Sequence, residues 1–78
     1  MNAKKHEFLK YYIRVLDIDL FNALVASAEE SRAANFEAKR DAGYYILRTN
    51  DEILWQDLFL YGQMIAQAND FFIEAGQS

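Results

Sequence analysis

The segment from Ile53 to Ile73 is apolar around most of a helical circumference. Projected at about 100° per residue, its polar residues fall in a strip roughly 60° wide. The polar strip contains Gln56, Gln63, Gln67 and Asp70. Glu52 and Glu74, which flank the segment, project into the same strip. A chain of 78 residues has little else to wrap around such a helix. The pattern therefore predicts an excess of apolar surface that a partner covers.

The hydrophobic spacing along the rest of the chain favours two further helices. The first, at about residues 5–17, collects apolar residues on one broad face: Phe8, Leu9, Tyr11, Tyr12, Ile13, Val15 and Leu16. The second, at about residues 19–42, begins with a core stripe of Leu20, Phe21, Leu24, Val25 and Ala28, and its second half is small or polar. The third helix extends over about residues 50–75.

Short polar residues and glycines mark the ends of these helices. Asp17 or Asp19 can cap the second helix, because a carboxylate accepts hydrogen bonds from the free amides of a first turn. Gly43 can end it in the left-handed conformation. The sequence Thr49-Asn50-Asp51-Glu52 matches a capping box at the start of the third helix, and Gly76 offers its end.

Residues 44–49, Tyr-Tyr-Ile-Leu-Arg-Thr, have the composition of a strand. No other segment of the chain presents itself as a pairing partner. Two interpretations stay open: a continuation of the helix, or a strand that pairs between two chains.

The predicted fold class is all-α, with two long antiparallel helices and a shorter N-terminal helix in a single domain of residues 1–78. The absence of proline and the presence of only three glycines favour this class over a β-rich fold. A helix of about 24 residues is about 36 Å long, whereas a compact chain of this size has a radius of gyration near 12 Å. We therefore expect a homodimer that completes the bundle.

Composition excludes several classes of protein. The chain has no cysteine, so disulfides and thiolate metal sites are ruled out, and a cytoplasmic location is expected. No apolar run is long enough for a transmembrane helix. Twelve acidic residues against eight basic ones give a net charge of −4. No basic run exceeds two residues, so direct binding of nucleic acid is disfavoured.

Catalytic motifs are also missing from the sequence. It contains no glycine-rich phosphate loop, no nucleophile elbow and no serine-histidine-acid set. Its only histidine, His6, has no second ligand at metal-binding spacing. We therefore expect a protein that is not an enzyme and that binds no cofactor, metal or small-molecule substrate.

Candidate partner-binding residues fall into three groups. The first group is a ridge of Trp55, Phe59 and Ile73 that flanks the polar strip of the third helix. The second group consists of three tyrosines, Tyr11, Tyr44 and Tyr45. The acidic candidates are Glu29, Glu30, Glu37 and Asp41. Each group also has a structural interpretation: packing on the first helix for the ridge, core positions for the tyrosines, and a solvated helix face for the acids. Asp57 lies inside the apolar arc, where three interpretations stay open: an ion pair with Arg48 or Arg14, a helix side left in water, or a donor from a partner.

These observations favour a small acidic protein-interaction module that regulates or inhibits a macromolecular partner without catalysis. A phage- or plasmid-type anti-CRISPR or anti-restriction inhibitor would have such a sequence, and its acids could imitate nucleic-acid phosphates. One alternative is a dimeric nucleic-acid-binding regulator that gathers Lys4, Lys5, Lys10 and Arg14 at a basic end. Another is a structural subunit or adaptor of a larger assembly.

Overall fold

The computed structural model describes residues 9–32 and 35–78 and has an α+β architecture rather than an all-α one. Its elements, in chain order, are β1 (Tyr11–Val15), α1 (Ile18–Glu30), β2 (Phe36–Asp41), β3 (Tyr44–Thr49), α2 (Glu52–Asn69) and β4 (Ile73–Gln77). The strands form one antiparallel sheet in the order β2-β3-β1-β4. This is the split β-α-β arrangement of ferredoxin-like folds. The prediction of an all-α helical bundle is therefore wrong.

Strand β1 lies within the second half of the segment predicted as the first helix. Tyr11, Ile13 and Val15 are buried, whereas Tyr12 and Arg14 between them are half-buried, which is the alternation of a strand with one covered face. The alternation was hidden in the sequence because Tyr12 is itself largely apolar, so the segment resembled one broad helical face. Residues 5–8 of the predicted helix lie outside the described residues.

The predicted second helix spans two different elements. Asp17, one of the two predicted capping residues, caps α1 by accepting from the amides of Asp19 and Leu20. The helix ends where its core stripe ends, two residues after the buried Ala28. The small and polar stretch that follows includes β2, where alternation rather than helical spacing decides which side chains are covered.

Gly43 lies in a hairpin turn and does not end a helix. With Ala42 it joins β2 to β3, and its φ of 80° suits the third position of a type II turn. Strand β3 then pairs on one side with β2 and on the other with β1. The strand composition of residues 44–49 was informative, but both interpretations of it were wrong because the pairing partners lie in the same chain.

The predicted third helix is too long at its C-terminal end. Asp51 caps α2 by accepting from the amide of Leu54, two residues beyond the threonine of the predicted capping box. Thr49 is buried instead, where its hydroxyl donates to the carbonyl of Asn35 and accepts from the amide of Asp51. Asp70 ends the helix in the left-handed conformation, with φ of 59°, and the chain then forms β4.

Both helices pack on one face of the sheet, and the core lies between the helices and the sheet. It contains Ile13, Val15, Leu20, Leu24, Ala28, Leu47, Leu54, Leu58 and Ala66. Gly62 permits the close approach of α2, because a Cβ atom there would lie 2.6 Å from the Ile73 side chain and 3.2 Å from that of Leu24. The opposite face of the sheet carries no helix among the described residues, and we call it the open sheet face.

Candidate interaction surfaces

The outer side of α2 carries three large apolar side chains in solvent. Ile53, Leu60 and Met64 are 72%, 62% and 66% exposed, and we call them the α2 stripe. Their spacing of seven and four residues places them on one side of the helix, opposite the buried Leu54, Leu58 and Ala66. Several large apolar side chains exposed on one side of a helix are typical of an interaction site.

Acidic groups surround the α2 stripe. Helix α2 carries Glu52 and Asp57 and is flanked by Asp51 and Asp70, and neither helix contains a lysine or arginine. The cationic residues of the ordered elements lie instead in the strands, at Arg14, Lys39, Arg40 and Arg48. Charge is therefore segregated: the helical layer is acidic, and the sheet holds mixed charge.

Asp57 is exposed on the outer side of α2, because the part of the apolar arc that surrounds it faces solvent. The two arginines proposed as its partners belong to strands below the helices. Arg14 forms its ion pair with Glu74 on the open sheet face.

The predicted ridge packs inside the molecule. The Trp55 ring stacks on Tyr11 with centroids 4.5 Å apart, and its indole N–H donates to the Tyr12 carbonyl at 3.0 Å. Phe59 and Ile73 are partly buried against the core. Tyr11 is buried, and its hydroxyl donates to Glu52. These four residues fix α2 to the sheet.

The other two predicted tyrosines lie on opposite faces of β3. Tyr45 points toward the helices, where its ring stacks on Phe21 with centroids 5.0 Å apart. Tyr44 lies on the open sheet face, and its hydroxyl donates to the Asp41 carboxylate at 3.2 Å. Together with the Ala42 amide, which donates at 2.8 Å, this hydroxyl lowers the pKa of Asp41 below its usual range.

The open sheet face has an arginine between two tyrosine rings. The Arg14 guanidinium lies 5.6 Å from the Tyr12 ring centre and 5.0 Å from that of Tyr44, both within cation–π range. The Tyr12 ring lies over Gly76, where a Cβ atom would come within 2.9 Å of Cζ. The hydrogen bonds that Arg14 donates to Glu74 raise the pKa of Arg14 above the usual arginine range. Formal charges on this face balance, with Arg14, Lys39 and Arg48 beside Glu37, Asp41 and Glu74.

The four acidic candidates do not gather on one surface. Glu29 and Glu30 are exposed at the end of α1 in the helical layer. Glu37 and Asp41 belong to β2, where the register places them across from Arg48 and Tyr44 on the open sheet face. An imitation of nucleic-acid phosphates would need these groups along one side of the molecule.

One pocket lies beside the C-terminal end of α2. It is lined by Gln63, Ala66, Gln67, Asp70, Phe71, Phe72 and Ile73, so Asp70 is its only ionisable side chain. Within residues 9–32 and 35–78, no three histidine, cysteine or acidic side chains are close enough to share a metal ion. Over the same residues, neither helix combines the length and apolar character that a membrane span needs.

The sequence indicated an apolar arc on the third predicted helix, and in the structure the ridge within this arc packs against residues of the same chain. The α2 stripe belongs to the same apolar arc as the ridge. Which of the two faces solvent depends on which side of the helix packs against the rest of the chain. The sequence placed Tyr12 on the apolar face of the first predicted helix and Arg14 at a basic end, so their position together on the open sheet face was not predicted. Recognition of the Tyr11–Val15 alternation would have placed both residues on one face of a strand.

Comparisons with protein-family models, curated proteins and solved structures give no significant match to this chain.

Proposed function

We propose that this chain is a non-catalytic protein-interaction module that inserts the α2 stripe into an apolar groove of another protein. The observation that carries the proposal is the exposure of Ile53, Leu60 and Met64 on one side of a capped helix. Presentation of an amphipathic helix to a groove is a recurring mode of protein recognition. Regulation or inhibition of the partner would follow from occupation of that groove.

Charge defines the chemistry of the partner further. Glu52 and Asp57 flank the α2 stripe, and no basic residue of the helix offsets them. A groove rimmed by lysine or arginine would meet these carboxylates with opposite charge, which raises the association rate and excludes acidic competitors. The proposed partner is therefore a protein with an apolar groove and a basic rim, and binding should weaken modestly as salt rises.

The rigid seating of α2 supports this role. The Trp55–Tyr11 stack, the hydrogen bond from the indole to the Tyr12 carbonyl and the Asp51 cap hold the helix on the sheet. A helix already formed and fixed loses little conformational entropy when it binds.

Photo-crosslinking at position 60 identifies the partner, and a two-site variant tests the surface. In the variant Leu60→Ser/Met64→Ser, we expect affinity for the crosslinked and purified partner to fall by about tenfold or more, because two apolar anchors are lost. Calorimetric titration of the partner measures the effect. The fold should persist, since both side chains already lie in solvent.

A matched control is the variant Leu16→Ser/Phe72→Ser, which removes two exposed apolar residues outside α2. It should bind like the unmodified chain. Crosslinks that form from position 16 and not from position 60, or equal affinities for the two variants, would contradict the proposal.

A second candidate function is binding of single-stranded nucleic acid on the open sheet face. The observation that favours it is the Tyr12, Arg14 and Tyr44 cluster on the two central strands, since bases stack on aromatic rings and guanidinium planes. The balanced charge of this face provides little attraction for phosphates. Of the cations invoked for a basic end, Lys4 and Lys5 lie outside the described residues, and Arg14 is paired with Glu74.

Fluorescence anisotropy with single-stranded RNA and DNA at low salt distinguishes this candidate, together with a gel shift on duplex DNA. If the open sheet face binds, Tyr44→Ala should weaken binding by about tenfold, whereas Tyr61→Ala on α2 should have no effect. Absence of binding at low salt would eliminate the candidate.

A further inference from the structure

Among the described residues, strand β4 lies at an edge of the sheet, and one of its two rows of backbone hydrogen-bonding groups meets no further strand. Within the part of the chain that the structure describes, it pairs with β1 alone. The amide of Ser78 donates to the carbonyl of Lys10 at 2.8 Å, which marks one hydrogen-bonded pair of the ladder. Such pairs alternate with pairs that exchange no hydrogen bonds. Tyr12–Gly76 and Arg14–Glu74 are therefore the next hydrogen-bonded pairs along the register.

The intervening residues of β4 point their backbone groups the other way. Ile73, Ala75 and Gln77 direct their N–H and C=O groups away from β1, toward the free edge. An edge that has no neighbouring strand among the described residues is a template for another strand.

The two edges of the sheet differ in their protection. Strand β2 carries four charged residues in six positions, Glu37, Lys39, Arg40 and Asp41, which discourage the approach of another strand. Strand β4 contains one charged residue, Glu74, and Arg14 neutralises it. It has neither lysine nor proline, the residues that usually guard an edge.

We propose that β4 pairs with β4 of a second copy of this chain, antiparallel about a two-fold axis at Ala75, to form a continuous eight-stranded sheet. This axis pairs Ile73 with Gln77 of the second copy and Ala75 with its equivalent. All the outward-facing groups of these three residues then find partners, giving about six hydrogen bonds across the seam.

The same register avoids repulsion between the copies. Glu74 lies opposite Gly76 of the second copy, so no like charges face each other. At the axis itself two alanine side chains meet, which leaves room for the strands to approach. Two-fold pairing of identical surfaces is the commonest symmetry of homodimers, and here the edge is complementary to itself.

Light scattering across a hundredfold concentration range tests the pairing. The molar mass should rise from that of one 9.1 kDa chain toward twice that value. The variant Gln77→Pro should raise the dissociation constant by about tenfold, because it removes two hydrogen bonds across the seam. The Gln77 amide is not used in pairing with β1, so the fold should persist, and far-UV circular dichroism checks this.

Two further variants make the result specific. Ala75→Pro removes the amides at the axis and should have the same effect as Gln77→Pro. Arg40→Pro is the matched control on the other edge. Asp41 and Tyr44 close the hairpin as a hydrogen-bonded pair, so the Arg40 amide also points outward from the sheet. The Arg40→Pro variant should therefore leave the dissociation constant of the dimer unchanged.

Amide hydrogen exchange supplies an independent measurement. The amides of Ala75 and Gln77 should exchange rapidly in dilute protein and become protected in concentrated protein. A monomer at every concentration would overturn the proposal, as would a dimer that Gln77→Pro leaves intact. A dimer lost in Leu60→Ser/Met64→Ser and retained in Gln77→Pro would assign self-association to the α2 stripe and overturn both proposals.

Discussion

Replacement of Leu58 by alanine is expected to lower the free energy of unfolding by about 2–5 kcal/mol. Leu58 is 1% exposed and lies in the middle of the side of α2 that faces the sheet. The substitution removes buried apolar surface and leaves a cavity between the two layers. For a domain of this size, such a loss lowers the Tm by roughly 10–20 °C or more. Thermal and urea unfolding followed by circular dichroism measure it.

The control for this prediction is the same substitution two residues further along. Leu60 belongs to the α2 stripe and is 62% exposed, so Leu60→Ala should change stability by no more than about 0.5 kcal/mol. Similar costs at the two positions would mean that α2 is covered on both sides, as in the helical bundle that the sequence first favoured.

Replacement of Trp55 by alanine should also destabilise the chain, by about 3 kcal/mol, at the lower end of the range for buried aromatic residues because Trp55 is only half-buried. The variant loses the stack on Tyr11 and leaves the Tyr12 carbonyl without the indole donor. Chemical denaturation provides the free energy. Where the variant remains folded, its affinity for the partner of the α2 stripe should match that of the unmodified chain.

A second substitution at this position separates the two contributions. Trp55→Phe keeps an aromatic ring against Tyr11 but removes the N–H donor, so it should cost about 1 kcal/mol. A Trp55→Ala variant of unchanged stability that no longer binds the partner would restore the interpretation of Trp55 as a direct binding residue.

The sequence predicted the helices more successfully than the strands, for a physical reason. The starts of α1 and α2 were located within two residues because capping carboxylates and core stripes act locally. Strand β1 is five residues long, and its partners are β3 and β4, so nothing within its own segment reveals the pairing. The stretch over residues 44–49 had strand composition, yet without β1 it had no partner in the chain.

The same difficulty applies to the two sides of the third predicted helix. Spacing identified an apolar arc on the third predicted helix, but spacing alone does not say which side faces the core. The aromatic residues Trp55 and Phe59 were favoured because aromatic anchors dominate interfaces. In the structure they serve as intramolecular anchors, and the aliphatic residues of the α2 stripe face solvent.

The order of the strands also governs how this protein can acquire its fold during synthesis. Arg14 on β1 meets Glu74 on β4 across a separation of 60 residues, so both neighbours of β1 are made long after β1 itself. A nascent chain that has completed α2 but not β4 presents one edge of the central strand β1 to other molecules. Contacts this distant in sequence slow folding and lengthen exposure to aggregation. The interval before β4 emerges is therefore when chaperones would be most needed.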